Sequence, residues 1–357
     1  MKNFLDGVKL FLLISGAVMG AGFLSGGELV AFFGGGCSGL LLSAVIFFMG
    51  FTLLTTSKTA TPKIPLLMSS AVFSLAMLSG LDEIAGFIGV FRGIPAAPVL
   101  SIIIFHFLLS GSIKKIEKIN CFLIPVSVLI VFLTIINVPD SAPKVRAASG
   151  GKWVINAVLY ACMNVFVALP SVKSAAKGKK KGTKIAAFIA FSVFFAGFSY
   201  LIIRVSPNTS LPLLDISYGT PFFPLLVIAL FIGSFTSLIC CLYPLKSFIA
   251  QKTADKKRRG IYCFLLYAVL FLLSRVGFNS IIKYFYPLVG ALGLLYIVKG
   301  VIGIKFPLNG DTKNKKERVM SRKKKNKIKK LTEEEYGNYI MALKDEVPPA
   351  AVRKLQK

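Results

Sequence analysis

Acidic residues are scarce in this chain: 15 Asp and Glu stand against 43 Lys and Arg, with one histidine, His106, and one tryptophan. The scarcity removes several chemistries. One histidine and six cysteines (37, 121, 162, 240, 241 and 263) without a C-x-x-C pair leave no ligand set for a structural metal, so no metal or cofactor is expected beyond a bound alkali ion. The cysteines fall in or beside apolar runs and read as small packing residues, not disulfides. No Walker A loop, G-x-S-x-G elbow or H-E-x-x-H pair occurs. An enzyme is not expected. Charge of either sign is thin as well, at 16% of residues, well below the roughly 25% of a soluble domain.

What fills the chain is apolar: 55% hydrophobic residues and a mean hydropathy of +0.73. Runs of about 20 apolar residues recur, each long enough to cross about 30 Å of hydrocarbon. The first run continues past Phe33 with no small-residue cleavage site, so it reads as a retained span and not a signal peptide. The expectation is an all-α polytopic membrane protein with about ten transmembrane helices, at about 9–33, 37–57, 64–90, 95–111, 120–137, 153–172, 184–204, 220–246, 260–276 and 280–304. With a cytoplasmic N-terminus, the inner loops carry 17 Lys and Arg and the outer loops seven. The positive-inside rule then places both termini in the cytoplasm and the protein in the inner or plasma membrane.

Residues 1–304 form the expected transmembrane domain, and 305–357 a basic cytoplasmic tail with 16 Lys and Arg against seven acids. Thr332 and Glu335 have capping-box spacing, which predicts a short helix at about 332–345. The tail is suited to anionic lipid headgroups or a cytoplasmic partner. It lacks the aromatic-interleaved groove of a nucleic-acid module, so no nucleic acid is expected despite the net charge of +28.

The first span is unusual. Between Gly16 and Glu28 it holds five glycines and a carboxylate. Each interior glycine costs about 1 kcal/mol against alanine, and a carboxylate in the bilayer about 3 kcal/mol or more. Gly20, Gly22, Gly26 and Gly27 make a break cheap, and Ser25 with Glu28 has the spacing of a capping box for a second half-helix. The reading is a half-helix ending near Met19, a break, and another running from about Ser25 to Phe33. Opposed half-helix ends at mid-membrane can hold an anionic group at the N-terminal end and a cation at the carbonyl end. Glycine-mediated close packing, which Gly16 and Gly20 would fit, is the plainer alternative.

The stretch from Gly20 to Glu28, G-A-G-F-L-S-G-G-E, followed by Phe32-Phe33, resembles the opening motif of the YkvI-type bacterial membrane proteins. Those are regarded as distant members of the amino acid–polyamine–organocation superfamily, with the LeuT-like fold. The likeness continues in LSGLDEIAG (78–86), VLYACMNVFVALP (158–170) and FYPLVGALG (285–293). Leu24 departs from it, standing where the family usually has a small residue. The resemblance implies two inverted five-helix repeats, here about 9–137 and 153–304, with helices 1 and 6 discontinuous. It implies a secondary active transporter working by alternating access on an amino acid or similar small organic solute. A non-transporting receptor that binds a small molecule in the same pocket and signals through the basic tail is the alternative.

In that frame Gly20, Ala21, Gly22, Phe23, Ser25 and Gly26 of the first span, with Tyr160 and Asn164 one turn apart on the sixth, are the candidate substrate-binding residues. Ser25 and Glu28 are candidate helix caps. In sodium-using LeuT-like transporters, hydroxyls of the eighth span face carbonyls at the first-span break. Here Ser234, Thr236 and Ser237 would face Ala17, Val18 and Gly20. Asp82, Glu83 and His106 are the proton-coupling alternative, acids within spans being expensive and often functional. The proline-marked outer segment from Ser206 to Gly219 reads as a lid or as a plain loop.

Overall fold

The computed structural model describes residues 2–34, 36–56, 63–87, 113–138, 152–207, 209–253 and 255–302. The expected fourth span, His106 in it, and the tail with its helix at about 332–345 lie outside the described residues. Every regular element among the described residues is helical. They are α1 (Lys2–Val18), α2 (Ala21–Leu24), α3 (Gly27–Phe33), α4 (Cys37–Thr56), α5 (Lys63–Phe87), α6 (Ile113–Ile136) and α7 (Lys152–Ala176). There follow α8 (Lys181–Val205), α9 (Pro212–Ser217), α10 (Phe223–Lys252), α11 (Lys256–Ser274) and α12 (Phe278–Ser280). A π-helical turn, Ile281–Phe285, then leads into α13 (Tyr286–Ile302).

Six of these helical stretches are long and apolar enough to cross a membrane: Cys37–Thr56, Lys63–Gly86, Lys152–Ala176, Lys181–Val205, Phe223–Lys252 and Phe278–Gly300. A shorter apolar run, Asn120–Ile136, lies in α6. Large apolar side chains such as Leu41, Val193, Phe264 and Leu295 are exposed on the bundle's outside. A helix apolar all round belongs in hydrocarbon, and the chain is a polytopic membrane protein.

Without a hydrophobic drive between helices in lipid, close packing depends on small residues. A Cβ at Gly290 would stand 2.6 Å from the Leu159 carbonyl oxygen, and one at Gly293 would overlap that of Cys162. These two glycines let α13 lie directly on the backbone of α7. α7, together with α4, α5, α6, α8 and α10, encloses α1–α3, and α13 reaches α3 through Tyr286. Ser43 on α4 ties down α7 by donating its hydroxyl to Ala157 O at 3.0 Å.

One expectation fails outright. The sixth span, α7, is a single unbroken helix of 25 residues, not a discontinuous one. Its sequence explains this: from Lys152 to Ala176 there is no glycine, and its one breaker, Pro170, falls near the end. A proline there removes a single i→i−4 bond, too little to open mid-membrane backbone.

Candidate functional site

The first span is broken, and twice. α1 ends at Val18; the Met19 N–H still donates to Ser15 O at 2.7 Å, but the Gly20 N–H turns back to Val18 O at 3.1 Å. Gly20 is extended (φ −83°, ψ −170°). One turn, α2, follows, and Ser25 closes it by donating its N–H to Ala21 O at 2.9 Å. Gly26 then adopts φ +87°, which L side chains rarely reach, and α3 starts at Gly27.

The capping box is therefore not formed. Ser25 ends α2, and Gly26, not Ser25, is the N-cap of α3. Ser25 Oγ donates to Gly22 O at 3.3 Å and accepts the Gly27 N–H at 3.4 Å, a loose cap two residues on. Glu28 does not reach back to Ser25. The left-handed Gly26 rotates α3 relative to α2, so the carboxylate of Glu28 points across the bundle instead.

There Glu28 is 2% exposed. The Tyr160 hydroxyl of α7 donates to its Oε2 at 3.4 Å, and the Tyr286 hydroxyl of α13 donates to its Oε1 at 3.2 Å. Gly22 makes the space: a Cβ there would stand 2.5 Å from Glu28 Cγ and overlap its carboxylate. Rings surround the group. Phe32 lies 5.2 Å from Tyr160 and 6.5 Å from Tyr286, Phe33 lies 5.1 Å from Tyr160, and Phe73 stacks on Tyr286 at 4.7 Å. Among the described residues Glu28 joins no ion pair. Both contacts, at 3.2 and 3.4 Å, are longer than the about 2.5–2.7 Å of a charge-assisted O–H···O⁻ bond.

Tyr286 escapes sequence reasoning. It follows a π-helical turn, and such turns are frequent at functional sites because the extra residue re-aims what comes after. The signal in the sequence, a tyrosine in the last of the shared motifs, is too faint to single it out. Asn164 donates Nδ2 to Tyr160 O at 3.0 Å, steadying the helix beside the site, while its buried Oδ1 has no partner among the described residues. Gly20, Ala21, Gly22, Phe23, Ser25 and Gly26 are all buried in the same layer, with Phe23 near Phe195 at 5.8 Å.

The hydroxyls of the eighth span are divided. Ser237 faces the first span as expected, donating to Gly16 O at 2.9 Å. Ser234 and Thr236 turn into their own helix, to Leu230 O at 2.7 Å and Gly233 O at 2.9 Å. Asn120 of α6, which the sequence does not suggest, joins Ser237: it packs against Gly16, donates to Cys240 Sγ at 3.8 Å, and leaves Oδ1 buried without a partner among the described residues. Ala17, Val18 and Gly20 lie on the same stretch of backbone, with Val18 O taken by the Gly20 N–H.

Toward the other end of α5, Asp82 pairs with Arg275 at 3.0 Å and Glu83 accepts from Ser210 Oγ at 2.7 Å. Both acids border a polar cavity of about 380 Å³ that also meets Ser79, Asn279 and Ser280. The segment around α9 packs on the break. Leu213 of α9 donates its N–H to Ser25 O at 2.9 Å, Leu211, Leu213 and Leu214 are buried, and a Cβ at Gly27 would overlap Ser210 O. At the opposite end of α5 a second cavity, about 310 Å³, is bounded by Lys63, Pro170, Tyr243, Pro244 and Gln251. Twenty residues of helix, about 30 Å, separate Lys63 from Glu83. The break lies between the two openings.

No family model matches the chain. It is similar to the uncharacterized membrane protein YkvI of Bacillus subtilis (strain 168), with 27% identity over 331 residues, covering 81% of this chain and 93% of that protein. The likeness thus takes in most of the helical region and agrees with what the helices show: a multi-pass membrane protein similar to YkvI along most of its length.

Proposed function

We propose that this chain is a secondary active transporter that moves an amino acid or a similar small amine-bearing solute across the cell membrane by alternating access. The observation that carries the reading is Glu28, a buried carboxylate at a doubly broken membrane helix, ringed by tyrosine and phenylalanine and lacking a cationic partner among the described residues. Burying an ionised carboxylate costs several kcal/mol, and two long hydrogen bonds from neutral hydroxyls offset only part of that. A solute ammonium completes the site. Aromatic faces favour the same ligand through cation–π attraction.

The helix pairing supports two inverted five-span repeats, numbering the spans as the sequence does. Under that symmetry the first span corresponds to the sixth, the second to the seventh, and the fifth to the tenth. α1 packs on α8 as α7 packs on α4, and α1 packs on α6 as α7 packs on α13; α4–α8 and α5–α10 map onto themselves. The two cavities at opposite ends of α5, with the segment around α9 as a cover over one, suit a site reached from either side. The lysine excess of the inner loops orients both termini to the cytoplasm. Symmetry between the halves does not require both central helices to break, and here only the first does.

Sodium fits the crossing of α1, α6 and α10. It is a hard cation that takes oxygen ligands, and Ser237 Oγ, Asn120 Oδ1, which has no partner among the described residues, and the carbonyls of Gly16 and Ala17 are oxygens of the right kind. When bound it would supply positive charge that couples ion occupancy to the break. Ser237→Ala and Asn120→Ala are each expected to weaken the sodium dependence of solute binding about tenfold, read by titrating sodium at fixed pH. An unchanged sodium response in both variants moves the coupling to protons at Glu28 or Glu83.

The test of the reading is a thermal-shift screen of purified protein with small amines, with and without sodium, followed by uptake into proteoliposomes. A ligand at a hundred times its Kd stabilises the folded state by about 2.7 kcal/mol, which is readily seen. Uptake of the stabilising amine, undiminished after deletion of residues 311–357, is the expected result. Binding without uptake would replace the transporter with a receptor built on the same pocket.

A further inference from the structure

Away from the break, α1 and α8 enclose an apolar groove of about 340 Å³ that the proposed transport site does not use. Phe4, Gly7 and Phe11 form one wall; Ala187, Ala190 and Phe194 form the other. Small residues let it open: a Cβ at Gly7 would already lie 3.6 Å from Thr183 Cγ2. Phe11 and Phe194 meet edge-on at 5.5 Å and close its deep end.

The shallow end is basic. Lys180 precedes α8, Lys181 opens it and Lys184 follows one turn later, with no acid in that turn. Thr183, Ala187, Ala190 and Phe194 share one helical stripe, and Lys180, the extended residue that caps α8, stands just beyond the end of it. The nearby acid, Asp6, is engaged by Lys179 at 3.6 Å. Lys180 and Lys181 are exposed and, among the described residues, join no ion pair.

We propose that this groove is a binding site for an anionic phospholipid, one acyl chain lying between α1 and α8 and the phosphate among Lys180, Lys181 and Lys184. The proposal rests on the cytoplasmic placement of Lys180 in the transporter topology. Apolar burial gives no net gain over surrounding lipid, so selectivity must come from the lysines. Each basic residue at an anionic surface is worth roughly fivefold in affinity, so three give a preference on the order of a hundredfold over a zwitterionic headgroup. The site would tether the half-helix that leads into the break to its neighbour α8.

Native mass spectrometry of the full-length protein tests this, with phosphatidylglycerol and phosphatidylcholine of identical acyl chains, and inorganic phosphate as a competitor. Wild type should retain phosphatidylglycerol in strong preference. Lys180→Ala/Lys181→Ala/Lys184→Ala should lose the preference while still retaining either lipid weakly. Ala190→Phe, at an exposed position where a larger residue is tolerated, should lose retained lipid of both kinds. Equal retention of the two lipids by wild type would overturn the proposal. So would a preference that survives the triple substitution, or retention unaffected by Ala190→Phe. Displacement by millimolar phosphate alone would reduce the site to a simple anion contact and overturn the groove. None of these readouts involves solute uptake, so their failure leaves the transporter reading standing.

Discussion

Glu28→Gln is expected to abolish high-affinity binding of the amine solute while leaving the unliganded protein as stable as wild type or slightly more so. Glutamine matches glutamate in size, and its carbonyl oxygen can still accept from Tyr160 or Tyr286, which now donate at 3.4 and 3.2 Å. Only the charge is lost. Removing one partner of a buried charge pair costs about 2–5 kcal/mol, so the expected loss in affinity is roughly thirtyfold to several thousandfold. Removing a buried charge with no ionic partner among the described residues relieves its desolvation cost, which is why the unliganded fold should survive. Tyr160→Phe and Tyr286→Phe should each weaken binding about tenfold, because each withdraws one donor from the same carboxylate. Isothermal calorimetry across a pH series separates the outcomes. Binding retained by the Gln variant with its pH dependence gone would make Glu28 the proton carrier and not the amine's partner. Binding retained with the same pH dependence would remove Glu28 from the site altogether.

The break itself is legible in the sequence, because close packing alone accounts for neither the density of glycines nor a lone carboxylate in an apolar run. Its first edge agrees to within a residue: the half-helix, expected to end near Met19, ends at Val18. The second edge differs for a specific reason. Ser25 and Glu28 have the right spacing for a capping box, but spacing carries no backbone angle, and the positive φ of Gly26 decides which residue is the cap. Once Gly26 is the cap, Glu28 is free to cross the bundle. Its partners lie 132 and 258 residues away in the chain, a separation that no local pattern reports. Tyr160 is legible through its face-sharing with Asn164, whereas Tyr286 depends on a π-turn that leaves little trace in sequence. The sodium candidates divide similarly. The resemblance puts Ser237 toward the first span, where it lies, but cannot show that Ser234 and Thr236 bond within their own helix, nor that Asn120 arrives from α6. The continuous sixth span is also readable from its own residues. A run with no glycine from Lys152 to Ala176 is an ordinary helix, and the expectation of a break there comes from resemblance.

Gly22→Ala should unfold or severely destabilise the site, and the damage should depend on Glu28. The added methyl would stand 2.5 Å from Glu28 Cγ and overlap the carboxylate. A flexible side chain could ordinarily swing away. This one is buried, held by hydroxyls from α7 and α13, and enclosed by Phe32, Tyr160 and Tyr286. Overpacking in such a setting costs about 1–3 kcal/mol, and displacing the carboxylate from both tyrosines adds the loss of two hydrogen bonds. A double-mutant cycle isolates the contact. Glu28→Ala vacates the volume that the methyl needs, so Gly22→Ala should be nearly silent in the Glu28→Ala background, with a coupling energy of about 1–3 kcal/mol between the two positions. Thermal unfolding of the four proteins in one detergent measures it. Additive effects would mean that Gly22 is needed for its backbone alone. They would also mean that the carboxylate does not occupy the space between α2, α7 and α13, and the case for Glu28 as the charge at the centre of the site would go with it.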